Sequence, residues 1–323
     1  MAYNILITSA GQRVSLVRAF QKELKLIYKD AKVYTVDFNP HLAPACHVSD
    51  GFFAVKKVTE SDYICDLLIL CKELRIKLLI PTIDTELQVL AENKAFFLEH
   101  GIIPIVADLD FIAICRDKRL TNQFFIDHQI EVPNVIDKNK LSFPLFIKPY
   151  DGSLSKDTFL IAQESDLNSY HFTNEKLMFM EYIDPAIHDE YTVDAYYDQN
   201  GNLKCVVPRK RIHVRAGEVN KGVTCNNEIT SFVINKLSHI KGAIGCLTMQ
   251  FFFNPNKERI IGIEINPRFG GGYPLSYFAG ANYPKFIMEE YLLGKNISFF
   301  DDWENNLLML RYDAEVLVSN FRD

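Results

Sequence analysis

Gln250, Glu264 and Asn266 are the residues whose types and spacing suggest the most chemistry. They lie in two apolar stretches, Cys246-Leu-Thr-Met-Gln250-Phe-Phe-Phe253 and Ile260-Ile-Gly-Ile-Glu264-Ile-Asn266-Pro-Arg268. Both stretches predict buried strands, and Asn254-Pro255-Asn256 between them is turn chemistry. A turn centred near Lys257 sets Gln250 directly across from Glu264. Side chains alternate faces along a strand, so Glu264 and Asn266 then share a face with Gln250. A buried carboxylate is costly unless it is paired or bound to metal. Three oxygen-bearing side chains on one strand face suit a hard cation such as Mg²⁺, with phosphate completing its shell. Arg268, two residues on, can fork onto phosphate or carboxylate oxygens. The alternative is a polar hairpin face open to water.

Other residues point the same way more weakly. Lys148 sits in the apolar run Leu145-Phe-Ile-Lys148, where a free ammonium is expensive; a lysine snorkelling at the strand end is the plainer reading. Asp151-Gly-Ser-Leu-Ser-Lys156 joins two strands and does not lead into a helix, so it is not a Walker A element. Its small residues and ammonium can nonetheless fold over phosphates. Glu181 ends the apolar run 177–183, and Glu190 opens the next strand. Two acids flanking a connector can clamp the amino and hydroxyl groups of a nucleoside, or be ordinary strand-end charges. Arg209, Lys210, Arg211 and Arg215 form a basic cluster; strand alternation places Arg209 and Arg211 on one face, with Arg215 a candidate to join them, and a solvated basic strand is the alternative. Gly270-Gly-Gly272 permits close backbone approach to a ligand, or makes a plain turn.

These groups need a scaffold. Residues 1 to about 112 alternate short apolar strands (4–8, 32–37, 77–81, 102–106) with helices (14–26, 63–74), which predicts a parallel, doubly wound sheet. Ligands bind such sheets at the carboxyl ends of the strands, where Ser9 to Arg13, Asp37 and Thr82 to Glu86 should lie. A dinucleotide fingerprint is not supported, because Gly11 stands alone where three glycines are needed. From about 115 the texture changes. A helix is expected from Arg116 to about His128, and strand-rich sequence follows.

Composition narrows the function classes. With 323 residues, 48% hydrophobic and 24% charged, the chain is of ordinary globular type with room for two or three domains. A net charge of −6 argues against a general nucleic-acid footprint. Seven scattered cysteines without a CxxC predict a reduced, cytoplasmic setting. No run of about 18 apolar residues predicts a membrane span, and the N-terminus reads as a first strand rather than a signal peptide.

Taken in order, these pieces resemble the ATP-grasp superfamily, in particular its carbamoyl-phosphate-synthase-like branch, over residues 3 to about 295. The phrase Ile263-Glu-Ile-Asn-Pro-Arg268, with a Gln fourteen residues before its Glu, is the specific part. The resemblance implies an α/β (α+β ATP-grasp) fold: a Rossmann-like N-terminal domain over 1–112 and two ATP-grasp subdomains, 113–183 and 184–323, clasping ATP. It implies that Lys118 and Lys148 hold the ATP phosphates and that the loop with Ser153, Ser155 and Lys156 covers them. Glu181 with the backbone of Tyr182 and Ile183 would read adenine, and Glu190 would take the ribose hydroxyls. Gln250, Glu264 and Asn266 would hold Mg²⁺, or Mn²⁺ in its place. Arg268 would act at the transferred phosphoryl group, and Arg211 or one of its neighbours would hold an acidic substrate group. The implied activity is ADP-forming ligation of a small carboxylate to an amine of amino-acid or peptide type, in a monomer or homodimer. The fold also hosts kinases, carboxylate–thiol ligases and non-catalytic nucleotide binders. With one ATP-grasp copy and no amidotransferase segment, carbamoyl phosphate synthesis itself is not expected. One glycine in the covering loop, where many members have three or four, is a further departure.

Overall fold

The computed structural model describes residues 3–152, 156–215 and 217–321. Three sheets carry the chain. The first comprises β1 (Asn4–Thr8), β2 (Val33–Asp37), β3 (Phe52–Ala54), β4 (Ile76–Pro81) and β5 (Ile103–Pro104). All its pairings are parallel, in the order β3-β2-β1-β4-β5, as the strand–helix alternation requires. The second is a small antiparallel sheet of β6 (Leu145–Pro149), β7 (Phe159–Ile161) and β8 (Leu177–Glu181), ordered β7-β6-β8. The third contains β9 (Asp189–Tyr197), β10 (Leu203–Arg215), β11 (Glu218–Thr224), β12 (Gly245–Asn254), β13 (Arg259–Asn266) and β14 (Leu308–Leu310). It is antiparallel in the order β13-β12-β9-β10-β11-β14.

The third sheet is amphipathic. One face presents Val193, Ala195, Leu247, Met249, Phe251 and Ile265, all within the largest apolar core. The other presents polar residues from four adjacent strands: Glu190, Thr192 and Asp194, Arg209 and Arg211, Thr248 and Gln250, Glu264 and Asn266. Their register is direct, with Thr192 opposite both Arg209 and Gln250, and Gln250 opposite Glu264. The Gln250–Glu264 pairing therefore holds, but by a different route from a simple turn at Lys257. Asn254 pairs with Arg259, so the turn is Pro255 to Glu258 and its register alone would set Gln250 against Ile263. A bulge between Gln250 and Phe251 absorbs the extra residue and returns Glu264 to the polar face.

The bulge sits where another segment approaches. The Gly262 N–H donates to the Glu131 carbonyl at 2.8 Å, and a Cβ at Gly262 would lie 2.7 Å from the Phe125 ring. Phe125 belongs to the helix Lys118–Asp127 and is fully buried. That helix starts two residues later than expected. Asp117 is extended and caps it by accepting from Arg119 N, while Arg116 closes the preceding helix, Leu109–Arg116.

All seven cysteines are free. Among the described residues no helix is long and apolar enough to cross a membrane. The C-terminal segment packs back on its own chain: Trp303 is buried, and β14 extends the third sheet by pairing with β11. Because Gly262 admits Phe125 with no room for a methyl group, Gly262→Ala should cost about 1–3 kcal/mol in urea denaturation. An unchanged midpoint would contradict this packing.

Candidate functional site

The polar face of the third sheet, the end of β6 and the start of helix Lys118–Asp127 enclose one charged cleft. At its centre the Gln250 and Asn266 amides both donate to Glu264 Oε1, at 2.8 and 3.0 Å. Which amide atom is nitrogen is an assignment that follows its partners, and rotating the terminal group offers carbonyl oxygen at the same place. One carboxylate with two carboxamides is an all-oxygen donor set that fits a hard cation. Among the described residues, no group of three or more His, Cys, Asp or Glu forms a separate metal cluster.

Two lysines face Glu264. Lys148 is 9% exposed, and its ammonium has no hydrogen-bond or ion-pair partner among the described residues. Burial pushes it down to about 8, while Glu264 pulls it up and Lys118 pushes it further down. This is not a snorkelling lysine; it is a buried ammonium whose charge is opposed by burial and favoured by the Glu264 carboxylate. Lys118 Nζ donates to the Gly152 carbonyl at the root of the expected covering loop. Burial lowers its ammonium too, and Glu264 again opposes the shift. Of that loop, Ser153 and Ser155 lie outside the described residues, and Lys156 is exposed.

Glu190 stands beside Arg211, with Arg211 Nε 3.2 Å from Glu190 Oε1. Burial raises the Glu190 carboxyl, Arg211 counters, and nearby Glu264 raises it further. Arg211 Nη1 reaches the Thr192 hydroxyl at 3.3 Å, and its Nε has no aligned acceptor. Arg268 Nη2 donates to Asp84 Oδ2 at 2.7 Å, and its buried Nε is likewise unpaired. Unsatisfied buried donors on Arg211 and Arg268, with the unpaired Lys148, form a cradle suited to an anion such as phosphate.

The three arginines of β10 do not act as a set. Arg209 is 1% exposed and is spent on Asp194, with Nε–Oδ2 2.8 Å and Nη2–Oδ1 3.0 Å. Register shifts after Arg211 break the alternation, and Arg215 lies at the surface paired with Asp313. Arg211 alone of the three remains in the cleft. Glu181 accepts from Asn134 Nδ2 at 2.7 Å and lies 3.5 Å from Arg259 Nη2. Tyr182 and the buried Ile183 then lead out of the second sheet toward β9. Each loop glycine meets a side chain of the protein itself: a Cβ would lie 2.9 Å from Thr248 Oγ1 at Gly270, 2.3 Å from the Glu218 carboxylate at Gly271 and 2.3 Å from Arg209 Nη1 at Gly272.

At the carboxyl edge of the first sheet, Asp37 accepts from the Gly11 N–H at 3.1 Å, closing the first turn on itself. Glu86 is fully buried, taking the hydroxyls of Ser9 and Tyr63, so it is structural. Asp84 lies at the edge where Thr82 to Glu86 was expected, but its partner Arg268 is 184 residues away, and Glu218 and Arg311 carried no distinct sequence signal.

Three sheets in this order, with a carboxylate and carboxamides facing buried lysines across a cleft, give the chain an ATP-grasp fold. More particularly, residues 5–105 match the PylC-like N-terminal domain, and residues 173–308 match the ATP-grasp domain of the biosynthetic pathway with the Ter operon. No curated protein matches the sequence. Among solved structures, Rhizobium etli pyruvate carboxylase T882A, solved with acetyl coenzyme A, superposes at TM-score 0.71 and 13% identity over 95% of this chain; the chain spans 30% of that protein. N5-carboxyaminoimidazole synthetase from Staphylococcus aureus, complexed with ADP, superposes at TM-score 0.70 and 16% identity, covering 96% of this chain and 81% of that one. The biotin carboxylase domain of Hydrogenobacter thermophilus 2-oxoglutarate carboxylase, solved with MgADP, gives 0.70 and 13% over 95% and 74%.

The Lys148 geometry makes a signed prediction. Its folded value near 8 lies below the ordinary 10.5. Below pH 8 it is charged in both states, and the cost of burying the charge is fully present. Between pH 8 and 10.5 the unfolded chain holds the proton longer, so stability rises with pH. Across that window wild type should gain on the order of 3 kcal/mol relative to Lys148→Met in denaturant unfolding. Parallel curves for the two proteins would contradict a buried ammonium.

Proposed function

We propose that this chain is an ATP- and Mg²⁺-dependent carboxylate–amine ligase of amino-acid or peptide type that forms ADP through an acyl phosphate. The observation that carries this reading is the convergence of Gln250, Glu264 and Asn266 with the unpaired ammonium of Lys148. A carboxylate does not react with an amine, because its leaving group would be oxide. Phosphorylation supplies a good leaving group, and the amine then displaces phosphate to give the amide.

The chain's residues suit this sequence because phosphoryl transfer requires positioning and charge neutralisation more than a protein nucleophile. Gln250, Glu264 and Asn266 hold Mg²⁺, which when bound neutralises phosphate charge. Lys118 and Lys148 bind the phosphates, under a cover formed by Ser153, Ser155 and Lys156. Glu181 braces the segment whose Tyr182 and Ile183 backbone reads adenine, and Glu190 takes the ribose hydroxyls. Arg268, held in place by Asp84, stabilises charge on the transferring phosphoryl group. Arg211 binds an acidic group of the substrate. On this reading 1–112 is the pre-ATP-grasp domain, 113–183 and 184–323 are the two clasping subdomains, the substrates are small molecules, and the setting is cytoplasmic.

With ATP, pooled L-amino acids and hydroxylamine, the protein should yield ADP and a hydroxamate. Glu264→Gln should lower turnover by orders of magnitude without changing thermal unfolding. Arg268→Ala should keep nucleotide binding and lose roughly 3–4 kcal/mol of transition-state stabilisation in kcat. Release of AMP, or full turnover by folded Glu264→Gln, would overturn the mechanism.

A further inference from the structure

A cavity of about 230 Å³ lies between the first sheet and the glycine loop, beyond Arg268. Gly11, Arg13, Glu218, Gly271, Tyr273 and Arg311 are among its lining residues. Its three charged side chains come from distant parts of the chain: the start of helix Val14–Ile27, the start of β11, and the residue after β14. Arg13 Nη1 donates to Glu218 Oε1 at 3.2 Å, and Arg311 Nη1 donates to Glu218 Oε2 and to the Val219 carbonyl, each at 3.1 Å. The side chains of Arg13, Glu218 and Arg311 remain 20%, 41% and 36% exposed, so a solute in the cavity can reach all three.

The charges do not balance. One carboxylate faces two guanidiniums, and Arg13 also feels the like charge of Arg268. The amino end of helix Val14–Ile27 adds partial positive charge on the same side. Each guanidinium has five N–H groups, and the bonds to Glu218 and Val219 use few of them. Burial opposes ionisation of Glu218, but Arg13 and Arg311 outweigh it and hold the carboxyl below its ordinary value. The cavity therefore offers spare guanidinium donors and an ionised carboxylate within one small volume. A simple anion would satisfy the guanidiniums while crowding Glu218, and a simple amine would do the reverse. A ligand with carboxylate and ammonium on one carbon answers both. The volume lies below the roughly 300–1,000 Å³ of pockets for drug-sized ligands, which favours a compact molecule.

We propose that this cavity binds a free α-amino acid as its zwitterion, with the carboxylate on Arg13 and Arg311 and the ammonium on Glu218. The amino acid's role as a ligase substrate rests on the reading above; its binding does not require nucleotide. Arg311 lies beyond the 173–308 span of the matched ATP-grasp domain, so this specificity group is supplied by the segment that follows it.

The test is saturation-transfer NMR on the full chain without nucleotide, with the proteinogenic L-amino acids one at a time. At least one should bind, and its N-acetyl and carboxamide forms should each bind at least tenfold more weakly. Glu218→Gln and Arg311→Gln should weaken the free amino acid at least tenfold, with thermal unfolding and separately measured MgADP affinity unchanged. Failure of every amino acid to bind, or equal binding of either blocked form, would overturn the proposal. Loss of MgADP binding in the wild type would instead count against the ligase reading alone.

Discussion

The Asp194–Arg209 ion pair is the contact on which the rest of the site depends. Both side chains are essentially out of water, at 0% and 1% exposure, and two parallel hydrogen bonds join them. Removing one partner of such a pair leaves a buried charge and typically costs about 3–5 kcal/mol. The pair also organises its surroundings. Ser276 donates to Asp194 Oδ2 at 2.6 Å, and the Tyr283 hydroxyl donates to the Asp194 carbonyl at 2.9 Å. Thr248, opposite Asp194 on β12, donates to the Arg268 carbonyl at 3.0 Å. Central strands, two C-terminal helices and the backbone of Arg268 are thus tied to one buried charge pair. Gly272 closes against the free edge of the Arg209 guanidinium, which explains the glycine by packing rather than by ligand contact.

Around that anchor the third sheet divides its labour by face. The apolar side joins the main core, and the polar side carries Glu190, Arg211, Gln250, Glu264 and Asn266 into the cleft. The division survives only because the bulge beside Gln250 corrects the hairpin register. The Asp84–Arg268 bond then links this sheet to the carboxyl edge of the first sheet, where doubly wound folds bind ligands.

Much of this was legible in the sequence, for identifiable reasons. Strand–helix alternation dictated the parallel sheet, and continuous apolar runs marked β6, β8, β12 and β13. The pairing of Gln250 with Glu264 was expected from a turn centred near Lys257, whereas the turn is Pro255 to Glu258 and the bulge that restores the pairing left no trace beyond Gly262. Lys148 stood out because an ammonium conflicts with its apolar strand. The limits were equally physical. Alternation put Arg209 and Arg211 together, with Arg215 a candidate to join them, but long-range pairing buries the first and irregular register carries the last to the surface. The roles of Asp84, Glu218 and Arg311 depend on contacts between distant segments, for which local sequence holds no signal. The Asp117 cap moved a helix start by two residues, within the usual uncertainty of helix ends.

On the proposed function Glu264, flanked by Gln250 and Asn266 and facing Lys148, holds the metal of a bound nucleotide. Crystals grown with Mn²⁺ and ADP test it most directly, because manganese is located by its anomalous scattering. A manganese peak is expected within coordination distance of the Glu264 carboxylate, with phosphate density between it and Lys148. A nucleotide bound with its metal away from Glu264, or its phosphates at Gly11 and Asp37, would contradict it.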